Sequence, residues 1–159
     1  MDSRSLTAEA GLQRTRLLLG LTNGAAVVAW ADAHILELAD VPAALIEVAS
    51  TPPDDLSALR HALLPLAPEV ESPALVAQIL GDVAADLTAG RRSPADTTTV
   101  LRQMRRMLQL PVTVDTELDG LIDTLMLAEV GIGASVRDAT DAVVAWAQAY
   151  TVEAQSAAG

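Results

Sequence analysis

The sequence predicts an all-α protein, and three features predict it. The chain of 159 residues is 51% hydrophobic but only 2% aromatic and has no Phe, so Leu, Ala, Val and Ile must fill its core. β-Sheets lean on aromatic and β-branched pairs, whereas the long segments here carry Ala, Leu, Arg, Glu and Gln at helical spacing. The third feature is a phrase used twice, Ala26-Val27-Val28-Ala29-Trp30-Ala31-Asp32-Ala33 and Ala142-Val143-Val144-Ala145-Trp146-Ala147-Gln148-Ala149. Seven of eight positions agree and the copies hold both tryptophans, which predicts related helices in related packing roles, as in arrays built by repetition.

Helix boundaries follow from capping chemistry: Ser, Thr or Asp satisfies the free amides of a first turn, and Pro has none to satisfy. The first helix is predicted at 6–21 and the second at 24–38, separated by Thr22-Asn23-Gly24. A third, at 42–50, begins at Pro42, and a fourth, at 53–64, begins in Thr51-Pro52-Pro53-Asp54. Ser72-Pro73 opens the fifth, at 73–89, and Gly90 stops it through a left-handed cap. Ser93-Pro94 opens the sixth, at 94–109, with Asp96 near its positive end and Pro111 as its stop. The seventh, at 115–130, is stopped by Gly131, and the eighth, at 136–153, starts from Ser135 with Asp138 three residues on.

The last four starts, near 73, 94, 115 and 136, are 21 residues apart, so a pair of helices takes about 42 residues, within the HEAT range. The expectation is one helical domain over 1–159, built as antiparallel hairpins in a HEAT-like array or as a multi-helix bundle. On the second helix Val27, Trp30, Ala31, His34 and Leu38 share a face while Ala29 and Leu36 lie opposite, which predicts cover on two sides. On the seventh, Leu118, Leu121, Ile122 and Leu125 form the core face, with Asp115, Asp119 and Asp123 as a stripe beside it.

Composition also excludes classes of function. The absence of Cys removes disulfides, thiolate nucleophiles and Cys-based zinc sites. A net charge of -11, with 21 acids, 10 Arg and no Lys, disfavours nucleic acid and either favours a basic protein partner or simply keeps an apolar-rich chain soluble. The apolar run Leu17–Ala31 is broken by Thr22-Asn23-Gly24 and is shorter than the roughly 20 residues of a membrane span. Asp2 and Glu9 in the leader, and that turn, also argue against a secretory signal, so the expected location is cytoplasmic.

Candidate chemistry is sparse. His34 beside Trp30 reads as a hydrogen-bonded core histidine, since a working His needs a carboxylate partner in a cleft. Asp54, Ser57 and His61 share a face of the fourth helix, but a nucleophile, base and oxyanion hole seldom stack along one helix. Gly131-Ile132-Gly133 lacks the third glycine and the preceding strand of a dinucleotide site and reads as a helix stop.

Two charged clusters remain. Asp115, Asp119 and Asp123, with Glu117 and Glu129, stand in the stretch 107–136 that has no base. The three Asp spread along about 12 Å of axis, too linear for a metal cage. Arg91, Arg92, Arg102, Arg105 and Arg106 hold half of all bases within sixteen residues, and the last three share a helix face that can pair with neighbouring acids or grip a carboxylate patch or phosphates. The partner-binding candidates are therefore Asp115, Glu117, Asp119, Asp123, Arg102, Arg105 and Arg106, with no cofactor, metal or catalytic residue expected.

The stretch Val27-Val28-Ala29-Trp30-Ala31-Asp32, with Ile35, Asp40, Pro42 and Leu45-Ile46-Glu47, resembles the opening of a group of small helical bacterial proteins of unknown function. They carry a Trp-Ala-Asp helix, an Asp-x-Pro turn and a Leu-Ile-Glu helix, and some similar proteins are immunity partners of polymorphic toxins. The likeness covers about 25 of 159 residues and implies a helical fold without transferable catalytic residues. The reading is thus a noncatalytic interaction protein, of immunity or adaptor type, that binds a basic protein, with self-association compatible. A small-molecule or lipid carrier with an interhelical apolar pocket is the alternative, and an enzyme using His34 or His61 the third class.

Overall fold

The computed structural model describes residues 3–67 and 72–157, which hold eight helices and no strand. These are α1 (Ser3–Leu19), α2 (Gly24–Glu37), α3 (Ala43–Ser50), α4 (Leu56–Ala62), α5 (Pro73–Thr88), α6 (Pro94–Met107), α7 (Val112–Glu129) and α8 (Val136–Ala157). Asp2 lies outside the described residues. Contacts gather into two compact units, Met1–Val70 and Glu71–Gly159.

The caps act where the sequence places them. Asn23 accepts from the Ala26 amide and so breaks the apolar run between α1 and α2. Among the described residues no helix is long and apolar enough to cross a membrane. Ser72 caps Leu75, and Ser93 and Ser135 cap Asp96 and Asp138 while donating their hydroxyls to those same carboxylates. Three starts differ from expectation by three residues, the first being α1, which begins at Ser3 rather than at 6. α4 is capped by Asp55 and begins at Leu56 rather than at 53, because Pro52 accepts from the Asp55 amide in a turn that delays the helix. α7 begins at Val112 rather than 115, directly after Pro111, whose carbonyl accepts from the Asp115 amide without any side-chain cap.

In the first unit α2 packs chiefly on α3, while α1 meets α4 and α2. The core is aliphatic: Leu45, Val48, Leu59 and Leu63 are fully buried, with Leu6, Leu17, Val27 and Ala31 beside them and Trp30 packed half-buried against the cluster. Each such burial is worth roughly 1.5–3 kcal/mol, which offsets the ordering of short helices such as α3 and α4. Gly24 is required at the α2 start, since a Cβ there would run into the Pro53 carbonyl and sit 2.8 Å from Leu59 Cδ1. The expected second cover of α2 is not found: Leu36 is 87% exposed and Ala29 is exposed. Three apolar positions at helical spacing cover one side of a helix, and the scattered residues opposite had no partner within the unit.

The second unit places α5 mainly against α8, α8 against α7, and α7 against α6, whereas α5 and α6 meet sparsely. The unit is accordingly a four-helix bundle closed by its first and last helices. The 21-residue rhythm of starts survives at α5, α6 and α8, and the consecutive pairs α6–α7 and α7–α8 pack together, but α5 packs on α8 rather than on α6, which fits a bundle. α5 is the central element, burying Leu75, Val76, Ala77, Ile79, Leu80, Val83, Ala84 and Leu87. α6 is two-sided, with Val100, Leu101 and Met104 inside and Arg102 and Arg106 outside.

Candidate functional site

The charged residues of α6 and α7 come together in part. Arg105 forks onto Asp115, with Nε donating to Oδ1 at 2.7 Å and Nη2 to Oδ2 at 2.8 Å, and its Nη1 also donates to Asp119. The fork matches the planar guanidinium to the carboxylate. This bond from Arg105 holds the Asp115 carboxyl below its ordinary value, against partial desolvation, with the Arg105 charge acting the same way. The same bond raises Arg105, which Asp115 and Asp123 also favour through charge. Arg102 reaches the sulfur of Met126, and Arg106 is exposed. Arg102, Arg105, Arg106 and Asp115 line an open cleft of about 380 Å³.

Glu117 departs from the group. It lies on the α8 side of α7, where its Oε2 accepts the Trp146 indole N–H at 2.8 Å. Asp123 is exposed at the middle of the outer α7 face, and no bond or ion pair engages it among the described residues. The seven predicted residues thus divide into a lock between α6 and α7 (Arg105, Asp115, Asp119), a tether to α8 (Glu117) and three outward groups (Asp123, Arg102, Arg106).

The end of α7 adds residues that the acidic stripe did not suggest. Gly131, at φ +76, closes a Schellman cap in which the Ile132 amide donates to the Leu127 carbonyl at 2.8 Å and the Gly131 amide to Ala128 at 3.1 Å. The cap turns the chain so that Leu127, Val130 and Ile132 all stay exposed at one end of the helix, with exposed Met126 beside them. Their signal was present in the sequence as Asp123, Met126, Leu127 and Val130 at i, i+3, i+4 and i+7, a second stripe beyond the core face.

In the first unit His34 has the carboxylate partner that its sequence context could not supply. Its Nε2 lies 2.9 Å from Glu9 Oε2, its Nδ1 donates to the Trp30 carbonyl at 2.8 Å, and the Trp30 indole N–H reaches the same Glu9 oxygen at 3.4 Å. The imidazole side chain is 12% exposed and its ring centre lies 4.9 Å from that of Trp30. Both ring nitrogens are therefore occupied by the protein's own acceptors, and Ser5 donates to the other Glu9 oxygen. The arrangement ties α1 to α2. Ser57 and His61 are exposed on α4 and Asp54 is exposed before it, without a hydrogen bond among the three in the described residues.

No protein-family model matches the chain, and no curated protein or solved structure matches it.

Proposed function

We propose that the chain is a noncatalytic helical interaction protein, of immunity or adaptor type, which engages a basic protein through the surface of α7 and α8. The observation that carries the reading is charge placement. Between 112 and 157 stand Asp115, Glu117, Asp119, Asp123, Glu129, Asp138, Asp141 and Glu153 against Arg137 alone. Arg105 from α6 bonds Asp115 and Asp119 and leaves the other acids in excess, so a net acidic field faces outward and favours a basic partner, at a strength that falls with salt. The resemblance in the first unit agrees in kind, with Trp30-Ala31-Asp32 on α2, Asp40-Val41-Pro42 between helices and Leu45-Ile46-Glu47 on α3.

The test is affinity capture from the native host's lysate at low and at high salt, with the wild type and a chain reversed at Asp119 and Asp123 as baits. One basic protein retained by the wild type at low salt and lost on either change supports the reading. Capture that ignores both salt and charge reversal contradicts it.

A carrier is the second reading. It is favoured by a trough of about 610 Å³ between α5 and α8, lined by Gly81, Ala84, Ala85, Ala89 and Val152 among others. A ligand retained in native mass spectra after gentle purification supports it, and a ligand-free chain counts against it.

A further inference from the structure

The outer face of α7 has a composition of its own. At 100° per residue Val112, Thr116, Asp119, Asp123, Met126, Leu127 and Val130 fall on one side of the helix, away from buried Leu118, Ile122 and Leu125. Val112 is 82% exposed, Leu127 47% and Val130 70%, so both ends of the face are apolar and open. Carboxylates occupy its middle, and of these Asp119 is shared with Arg105 whereas Asp123 has no bond or ion pair among the described residues. From Val112 to Val130 the face runs about 27 Å, at 1.5 Å rise per residue.

Apolar side chains left open at both ends of a helix face, with a carboxylate between them that makes no hydrogen bond or ion pair among the described residues, are a pattern of interaction surfaces rather than of ordinary solvated helix. The face is one helix wide, so the complement that fits along it is another helix. Its chemistry follows by charge: cationic at the centre to meet Asp123, apolar toward both ends. A second copy of this chain meets the condition poorly, because α7 and α8 would set like charges against each other. Phosphate-bearing partners are repelled by the same acids.

We propose that the outer face of α7 is the docking site for an amphipathic helix of a partner protein, with Lys or Arg at the centre of its contacting face and aliphatic residues flanking them. The proposal rests on the basic-partner reading above and specifies where and in what form that partner binds. Asp123 selects the cationic centre, and Leu127 and Val130 with Val112 supply the apolar contact.

The experiment titrates the full chain with a short helical peptide that bears Leu at both ends and Lys in the middle of one face, and with the same peptide carrying Glu for Lys. The Lys peptide is expected to bind and to weaken as salt rises, and the Glu peptide to fail. Asp123→Lys, and separately the pair Leu127→Ser and Val130→Ser, are expected to weaken binding at least about tenfold, or about 1.4 kcal/mol. Glu37→Lys, an equal charge change at an exposed position on α2 of the first unit, should stay within about twofold. All these positions are exposed, and unchanged helical circular dichroism checks that the variants fold.

Equal losses from Glu37→Lys and Asp123→Lys overturn the proposal by showing a response to net charge alone. Salt-sensitive binding that ignores every α7 variant overturns it while leaving the basic-partner reading in place. Failure of the wild type to bind the Lys peptide, alongside failure to capture any basic protein, removes both. Concentration-dependent self-association abolished by Leu127→Ser and Val130→Ser assigns the face to a second copy and also overturns it.

Discussion

Trp146 donates its indole N–H to Glu117 at 2.8 Å, joining α8 to α7. The other copy of the repeated phrase does the same in its own unit, where the Trp30 indole N–H reaches Glu9 on α1. Each tryptophan also has a ring four residues later on its own helix: His34 at 4.9 Å from Trp30, and Tyr150 at 6.0 Å from Trp146. Val27 and Ala31, like Val143 and Ala147, are buried beneath them. The two phrases thus perform one task, an aliphatic inner edge with an aromatic pair pinned by a carboxylate from another helix.

Because both tryptophans are half-buried, Trp30→Ala and Trp146→Ala are each expected to cost about 2–4 kcal/mol, near the low end for deleting a large aromatic. Trp146→Phe keeps a six-membered aromatic ring and removes the donor together with the rest of the five-membered ring. Glu117 is exposed and rehydrates, so that change should cost less than about 1 kcal/mol in urea unfolding. A Phe variant as damaged as the Ala variant would place the stability in the hydrogen bond instead.

Gly24 and Gly120 should respond in opposite directions to Ala. At Gly24 a Cβ meets the Pro53 backbone, which cannot swing aside, and a loss of about 3 kcal/mol or more is expected. At Gly120 nothing lies within 4 Å, the position is inside α7, and Ala should stabilise by about 1 kcal/mol. Thermal unfolding of the two variants reads both signs.

Thr98 carries a buried hydroxyl with no hydrogen-bond partner among the described residues, whereas the neighbouring Thr97 donates to the Ser93 carbonyl. Thr98→Val keeps the shape and removes the unmet polar atom, so a gain on the order of 1 kcal/mol is expected, with Thr97→Val gaining less or losing. Equal effects at both positions would show that Thr98 is satisfied in solution.

Acid should loosen the lock between α6 and α7. Asp115 is held below its ordinary value of 3.8 by the bond from Arg105, so its contribution is fully present above that value. It is lost as pH falls through the lower folded value, because the unfolded chain takes up the proton first. Asp115→Asn should flatten the stability profile below about pH 4 and leave the neutral region nearly parallel to the wild type. An unchanged acid limb would assign that loss to other carboxylates. At the other end, burial raises the Tyr150 phenol, so stability should decline above about pH 10, and Tyr150→Phe should remove that decline.

The helices were legible because their ends are written in local chemistry: Ser72-Pro73, Ser93-Pro94 and Gly131 act within a turn of where they stand. Pro111 and Asp55 misplaced two starts by three residues, since a helix can begin behind a proline with no side-chain cap and a Pro-Pro turn can postpone one. Pairings between helices were not legible. Nothing local in Glu9 says that it meets His34 and Trp30, and Glu117 falls in the acidic run but turns to α8. Of the two roles open to the Arg cluster, Arg105 takes the pairing with neighbouring acids, and only its packing register selects Asp115 and Asp119 rather than Asp123 as hydrogen-bond partners. The open apolar ends of the outer α7 face are masked in the sequence because the core stripe of the same helix dominates its pattern.

The most direct measurement is carboxylate-selective footprinting of the chain, alone and with its captured basic partner. Asp123 should lose most of its reactivity in the complex while exposed Asp32 and Asp40 of the first unit keep theirs. Full reactivity at Asp123, with protection at Asp32 or Asp40, would contradict the assignment of the binding surface to α7.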